Sequence, residues 1–355
     1  MKKVCVSTYC EWSSYGSVMQ AIGLKKCLAD LGYDSFIVRD APAPVSRKAF
    51  PFSVSLNPKR LIKNLMFWRI RKLHEILYEN SVKFIRENVD IRYFNDYEVL
   101  KNHFPDADYY IAGSDQIWHP ALCKRAFFLD FLPPEKKRLS YAASMGVLQP
   151  PEDKKELFGE LVSKFDSISV REEEMTDVLP QYTEKKILRH IDPTFLADAK
   201  YWGGLSEKYP IKKPYILVYT IYWDKRCNNE LKKLHKQTGY DIVALCPNGS
   251  SLLWANKKIY DADPGQFLYL IKNAEAVVSS SFHGVALSVN FNKKIAPVIN
   301  PKSPSRISSL LNILGINPVT ICDVMKFDES QYVHINRRIE EEKARSIDYL
   351  RGVLK

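Results

Sequence analysis

The apolar positions of this chain alternate between two periods. Short β-branched runs at 4–8 (VCVST), 35–38 (SFIV), 109–113 (YYIAG), 138–144 (RLSYAAS) and 167–170 (SISV) predict strands in the first half. A helical spacing over 18–31, closed by Gly32, separates the first two. The same alternation restarts further on. Runs at 215–220 (YILVYT), 241–246 (DIVALC), 276–280 (AVVSS) and 295–298 (IAPV) predict strands, with helical spacing near 225–238, 265–273, 284–291 and 305–314. Strands joined through helices imply right-handed crossovers and mainly parallel sheets. A proline-bearing stretch over 41–60 reads as loop, and 336–354 reads as one charged helix. The boundary between halves falls in 179–214. The predicted organisation is therefore an α/β protein of two Rossmann-like domains, 1–180 and 181–335, facing a central cleft, with a C-terminal helix at 336–355.

Length agrees with this division, because 355 residues exceed one comfortable core. With 46% hydrophobic and 26% charged residues the chain has an ordinary globular composition. Met1-Lys2-Lys3 is followed only by the short apolar run VCVS, so no signal peptide is read, and no run reaches the ~20 apolar residues of a membrane span. Seven scattered cysteines without a CxxC pair fit reduced thiols in a cytoplasm.

The net charge of +11 raises the question of nucleic acid, and its distribution answers it. Lys59, Arg60, Lys63, Arg69, Arg71, Lys72, Lys83 and Arg86 stand against only Glu75 and Glu79, so about half the excess lies in 58–86. Ile62, Met66, Ile70, Leu73 and Leu77 recur there at helical spacing, with Phe67 and Trp68 beside them. The segment reads first as a core-packed helix with a solvated basic face. Its second reading is a peripheral membrane contact, or a surface for a diphosphate-bearing substrate. No nucleic-acid motif accompanies it, and no nucleic acid is expected as a partner.

Polar clusters stand at the predicted strand ends, where open α/β sheets hold their ligands. SSYGSVMQ (13–20) brings Tyr15 and Gly16 to the start of the first helix; GSDQIWHP (113–120) brings Ser114, Asp115 and Gln116 to the end of a strand. SVREEEM (169–175) sets Arg171 at a strand end, where it grips an anion or pairs with Glu172–Glu174. VVSSSFHGVALSV (277–289) packs Ser279, Ser280, Ser281, His283 and Gly284 at a strand-to-helix junction. The unpaired N–H groups of such a junction suit phosphate or carboxylate. His119 reads as structural. No HExxH or DxD spacing offers a metal site, and no GxSxG elbow offers a hydrolase. Transfer chemistry on an anionic substrate remains.

YGSVMQAIGLKKCLADLGY, YYIAGSDQIWHP, SYAASMG, ISVREEEMTDVL, HIDPTFLAD and VVSSSFHGVALSV, in this order across 4–299, resemble the polysaccharide pyruvyl transferase family. The resemblance implies a glycosyltransferase B-like fold and transfer of pyruvate from phosphoenolpyruvate to a sugar as a ketal. It implies no cofactor and no metal. It also implies that Arg171 and His283 serve the phosphoenolpyruvate site, the backbone and side chains at Ser279, Ser280, Ser281 and Gly284 completing the cradle. His283 is then the expected acid and Asp115 the expected base. Tyr15, Gly16, Ser114 and Gln116 are expected on the acceptor side, toward a sugar linked to a polyprenyl diphosphate at the inner face of a membrane. Ketal transferases of the family carry arginine where this chain has Ser281, and many members carry asparagine where it has Ser14. Arg306 or Lys294 is expected to supply the missing charge. A nucleotide-sugar glycosyltransferase of the same fold and a non-catalytic sugar or anion binder remain the alternatives.

Overall fold

A computed structural model describes residues 1–44, 58–246, 252, 254–300 and 305–355, with the backbone alone for 58–67 and 305. The first sheet contains β1 (Lys3–Ser7), β2 (Asp34–Arg39), β3 (Ile91–Tyr93), β4 (Tyr109–Ala112) and β5 (Arg138–Ser140), all parallel, in the order β3-β2-β1-β4-β5. Val6 in β1 pairs with Ile37 on one side and Ile111 on the other. Beyond β5, single parallel bridges reach a two-stranded extension of β6 (Ile168–Val170) and β7 (Ile187–Arg189). The division expected at 180 thus falls between two strands that pair.

The second sheet contains β8 (Tyr215–Tyr219), β9 (Asp241–Leu245), β10 (Lys257–Ile259), β11 (Ala276–Ser279) and β12 (Lys294–Pro297), again all parallel. Its order, β10-β9-β8-β11-β12, is that of the first sheet. The first half holds helices α1 (Tyr15–Asp30), α2 (Pro58–Asn88), α3 (Tyr97–Asn102), α4 (Lys155–Ser163) and α5 (Met175–Val178). The remaining helices are α6 (Ala199–Gly204), α7 (Lys225–Thr238), α8 (Pro264–Lys272), α9 (Phe282–Asn290), α10 (Ser305–Leu314) and α11 (Gln331–Val353). Two Rossmann-like units of one topology therefore face each other across a cleft, the glycosyltransferase B-like architecture.

Helix α1 joins them. Ser14 caps it, its Oγ accepting from the Ser17 amide, so the helix begins three residues before the apolar periodicity does. Gly16 and Gly23, seven apart and so on one face, let neighbours approach closely. A Cβ on Gly16 would overlap the His283 ring, and one on Gly23 would overlap the Pro193 carbonyl. Core residues of both units, among them Val18, Ile22, Leu217 and Phe267, form one continuous apolar cluster around this helix.

The expected loop at 41–60 is largely outside the described residues, and helix α2 starts at its end, at Pro58. From residue 68 onward α2 follows the first reading. Leu77, Phe84 and Ile85 are buried, whereas Arg69, Arg71, Lys72, Lys83 and Arg86 are exposed. The side chains of Lys59, Arg60, Ile62, Lys63, Met66 and Phe67 lie outside the described residues. No described helix is long and apolar enough to cross a membrane. None of the seven cysteines forms a disulfide.

Helix α11 returns to the first unit. Tyr349 donates its hydroxyl to the Ser140 carbonyl at 2.8 Å, Glu342 pairs with Arg189 at 2.7 Å, and Ser346 Oγ accepts from the Ile191 amide at 3.3 Å. The segment 190–192 is thereby held from behind, and the cleft's central residue follows directly from it.

Candidate active site

Asp192 is the charged hub of the cleft. The sequence Asp192-Pro193-Thr194 forms a capped turn, in which Asp192 Oδ1 accepts from the Thr194 amide at 3.0 Å and the Thr194 hydroxyl at 2.8 Å. Its Oδ2 takes Arg171 Nη1 at 2.9 Å and the Ser114 hydroxyl at 3.3 Å, and lies 3.4 Å from His283 Nε2. The last is a close approach without a hydrogen bond, since Nε2 has no hydrogen-bond partner within the protein. Burial alone would raise the Asp192 carboxyl. The charge of His283, then that of Arg171, outweighs it and holds the group well below the usual carboxylate range.

Arg171, at the end of β6, is held in this network through Nε and Nη1, while its buried Nη2 keeps no partner within the protein. Nε bonds Glu172 Oε1 at 3.1 Å, Nη1 bonds Asp192, and the guanidinium lies 4.1 Å from the Phe282 ring centroid. Burial acts against its charge, and Glu172, Asp192 and Asp115 more than compensate. Arg171 therefore pairs with Glu172, as the salt-bridge reading has it, and with Asp192, in the layer behind His283.

In front of this layer lies a cavity of about 270 Å³, lined by Ser281, His283 and Arg306 of the second unit and by Glu11, Gly16, Asp115, Gln116 and His119 of the first. His283 occupies the first turn of α9 and packs against Gly16. Asp115 has φ 72°, a left-handed conformation that Asp tolerates better than most residues. Its carbonyl accepts from the Ile117 and Ser144 amides, and its Oδ1 accepts from the Gln116 amide at 2.8 Å. Arg306, in the first turn of α10, keeps a buried Nε without a partner. Burial, followed by the charge of Arg171, lowers its pKa, and a guanidinium stays charged regardless.

The structure thus brings His283, Asp115, Ser281, Gly16 and Gln116 to one cavity and places the other expected residues differently. Ser114 is fully buried, donates to the Ala142 carbonyl at 2.9 Å, and supports Asp192 from behind. The Ser279 hydroxyl donates to the Tyr219 carbonyl at 2.6 Å, and Ser280 Oγ accepts from the Ile221 and Tyr222 amides at 2.8 Å. Both serines tie β11 to the end of β8. The Gly284 amide is taken by Ser281 Oγ at 3.4 Å, the cap of α9. Tyr15 stacks on Phe267 at 4.5 Å and donates to the Ala262 carbonyl at 2.6 Å, so it seals the contact between units. Of the two cations expected to replace the charge absent at 281, Arg306 lines the cavity, and Lys294 pairs instead with Glu329 at 3.6 Å.

Strand-end reasoning passed over Asp192 and Glu11, and it read as structural His119, which lines the cavity. HIDPTFLAD enters the sequence reading only as a block of the family resemblance, and the meeting of its Asp192 with Arg171 and His283 depends on tertiary convergence. Among the described residues no group of three or more His, Cys, Asp or Glu is arranged to hold a metal ion.

The sequence model of the polysaccharide pyruvyl transferase family matches residues 15–302, which include Arg171, Asp192 and His283. This chain belongs to that family. Family membership makes it a transferase of polysaccharide biosynthesis acting with a sugar acceptor. No curated protein matches the sequence. Among solved structures, UDP-GlcNAc 2-epimerase from Neisseria meningitidis, bound to UDP-GlcNAc, is similar at a TM-score of 0.52 and 12% identity, covering 99% of this chain and 100% of that one. A Streptomyces sp. SF2575 glycosyltransferase reaches 0.44 at 14% identity, with both chains covered in full. At such identities the likeness to the epimerase bears on the fold alone.

Proposed function

We propose that this pyruvyl transferase moves pyruvate from phosphoenolpyruvate onto a sugar of a polysaccharide precursor, forming a cyclic ketal without a metal. The observation that carries the proposal is one cavity where His283, backed by the Asp192 carboxylate, meets Arg306 on the same side and Asp115 opposite. Arg306 grips the donor's carboxylate or phosphate, with Ser281 and the first turn of α9 beside it.

His283 gives a proton to the methylene carbon of the enol, and positive charge develops at the carbon bearing the phosphate. A sugar hydroxyl bonds to that carbon and passes its proton to Asp115. The carbon–oxygen bond to phosphate then breaks. The second hydroxyl closes the ring, its proton returning to His283 while the first leaves with inorganic phosphate. Asp192 stays ionised throughout and keeps the imidazole oriented.

Thermal stabilisation tests this reading. Millimolar phosphoenolpyruvate should raise the unfolding temperature, because it binds the folded state only. Stabilisation by a nucleoside diphosphate with none by phosphoenolpyruvate would favour a glycosyltransferase. Dialysis against EDTA should leave the rate unchanged; activity lost and restored by magnesium would remove the metal-free chemistry.

On the same reading the enzyme works in the cytoplasm, and its acceptor is carried on a polyprenyl diphosphate at the membrane face, with the basic run of α2 drawn to anionic lipid. Replacing Lys59, Arg60 and Lys63 by Gln should weaken liposome binding, the more so at low salt. Equal binding would return α2 to a packing element alone.

A further inference from the structure

A larger cavity, about 590 Å³, lies beside the first at the carboxyl ends of β1, β2 and β3, bordered by the last turns of α2. Glu11 lines both cavities, so the two volumes adjoin there. The larger one presents the aromatic surfaces of Trp12 and Tyr93 together with Arg39, Lys25 and Arg86. Trp12 is braced edge-on by Tyr78, their ring centroids 5.1 Å apart.

Arg39 is the informative residue. It is 8% exposed, its Nη2 pairs with Glu11, and its Nη1 reaches the Thr8 carbonyl at 3.5 Å. Its Nε is buried with no partner in the protein. A buried donor left unsatisfied is costly, and a ligand oxygen in the cavity would recover that cost. An aromatic wall, a guanidinium donor and a carboxylate acceptor together suit a polyhydroxylated ring. The ring's C–H face covers the aromatic, while its hydroxyls accept from Arg39 and donate to Glu11.

We propose that this cavity is the acceptor subsite, seating a pyranose ring so that its hydroxyls extend past Glu11 toward Asp115 and the donor. The inference rests on the pyruvyl-transfer reading for its role. Its sugar-binding content is tested separately from the donor.

Saturation-transfer NMR with methyl glycosides of glucose, galactose, mannose and their N-acetylated amino sugars provides the test. At least one glycoside should receive transfer from the wild-type protein. Trp12→Ala should weaken that glycoside about tenfold, the worth of one aromatic contact. Ala43→Trp, at an exposed rim position, should block it without disturbing the core. Arg306→Ala should leave it unchanged. Absence of transfer from wild type to every glycoside would overturn the proposal. So would transfer that survives both rim and wall variants and is lost in Arg306→Ala. Phosphoenolpyruvate stabilisation measured on the same variants separates the two readings: if it is absent in wild type while the glycoside response follows Trp12, the donor assignment falls and the sugar subsite stands.

Discussion

Strands β4 and β11 hold the same place in the two sheets, and both end at the cavity, yet the chain leaves them in different ways. After β11 it enters the nine-residue helix α9 within three residues, capped by Ser281. After β4 it passes through left-handed Asp115 and irregular turns until β5 begins at Arg138. Among the described residues, Asp115, Cys123, Leu129 and Ala142 in the first half have positive φ without being glycine, against Asn292 alone in the second. The regular junction offers a helix N-terminus, suited to an anion. The irregular one fixes a carboxylate by backbone hydrogen bonds, suited to a sugar hydroxyl. On the proposed reading, one topology yields a donor side and an acceptor side.

Replacing the catalytic group on the donor side gives the largest expected effect. His283→Gln should lower turnover by about 10²–10⁴-fold and leave phosphoenolpyruvate affinity within several-fold. Equal loss of binding and turnover would make His283 a ligand of the phosphate, and would shift the acid to Asp115 across the cleft.

Arg171→Ala separates the anchoring layer from the cavity wall. It strands the buried Asp192 and Glu172 carboxylates, so it should cost about 3–5 kcal/mol in chemical denaturation. Arg306→Ala, in front of that layer, should cost less than half as much. Similar losses would erase the distinction between the two guanidiniums.

Gly16→Ala probes the place where the first unit touches the donor side. Its Cβ would displace the His283 ring, and turnover should fall by roughly 10–10²-fold, the effect of about 1 Å of misplacement, with the fold retained. Wild-type turnover would mean that the imidazole position is not set by α1.

The smallest effect concerns the packing behind the site. Burial, with the charge of Arg189, pushes the His190 imidazole down to about 4, where it accepts or donates to Ser169 Oγ at 2.8 Å and stacks on Tyr349. Between that value and the ordinary ~6.5 the unfolded chain binds more protons. This contribution to stability is therefore complete above about pH 6.5 and is lost as the pH falls toward 4. His190→Gln should flatten that part of the profile of Tm against pH. An unchanged slope would assign the acid sensitivity to another group.

The strand pattern was legible because both sheets are parallel and their strands are β-branched runs buried on both faces. The short strands β3, β7 and β10 were not legible, since three residues of mixed polarity carry no period. At the site, His283 and Asp115 stood out by their place after strands. Tyr15 did not read correctly, because a hydroxyl beside a glycine looks the same in sequence whether it faces a ligand or the Ala262 carbonyl. Asp192 and Arg306 were the hardest. Their roles come from charges brought together from residues 171, 192, 283 and 306, and no local spacing encodes that meeting.

Isothermal titration of phosphoenolpyruvate into wild type, Arg306→Ala and the double variant Arg306→Ala/Ser281→Arg tests the central claim most directly. Arg306→Ala should weaken binding by roughly 10–10²-fold, the loss of a charge-assisted hydrogen bond. The added arginine at 281, which lines the same cavity beside Arg306, should recover most of it. Unchanged affinity in Arg306→Ala would contradict the account, because the donor would then be held by cations outside this cavity.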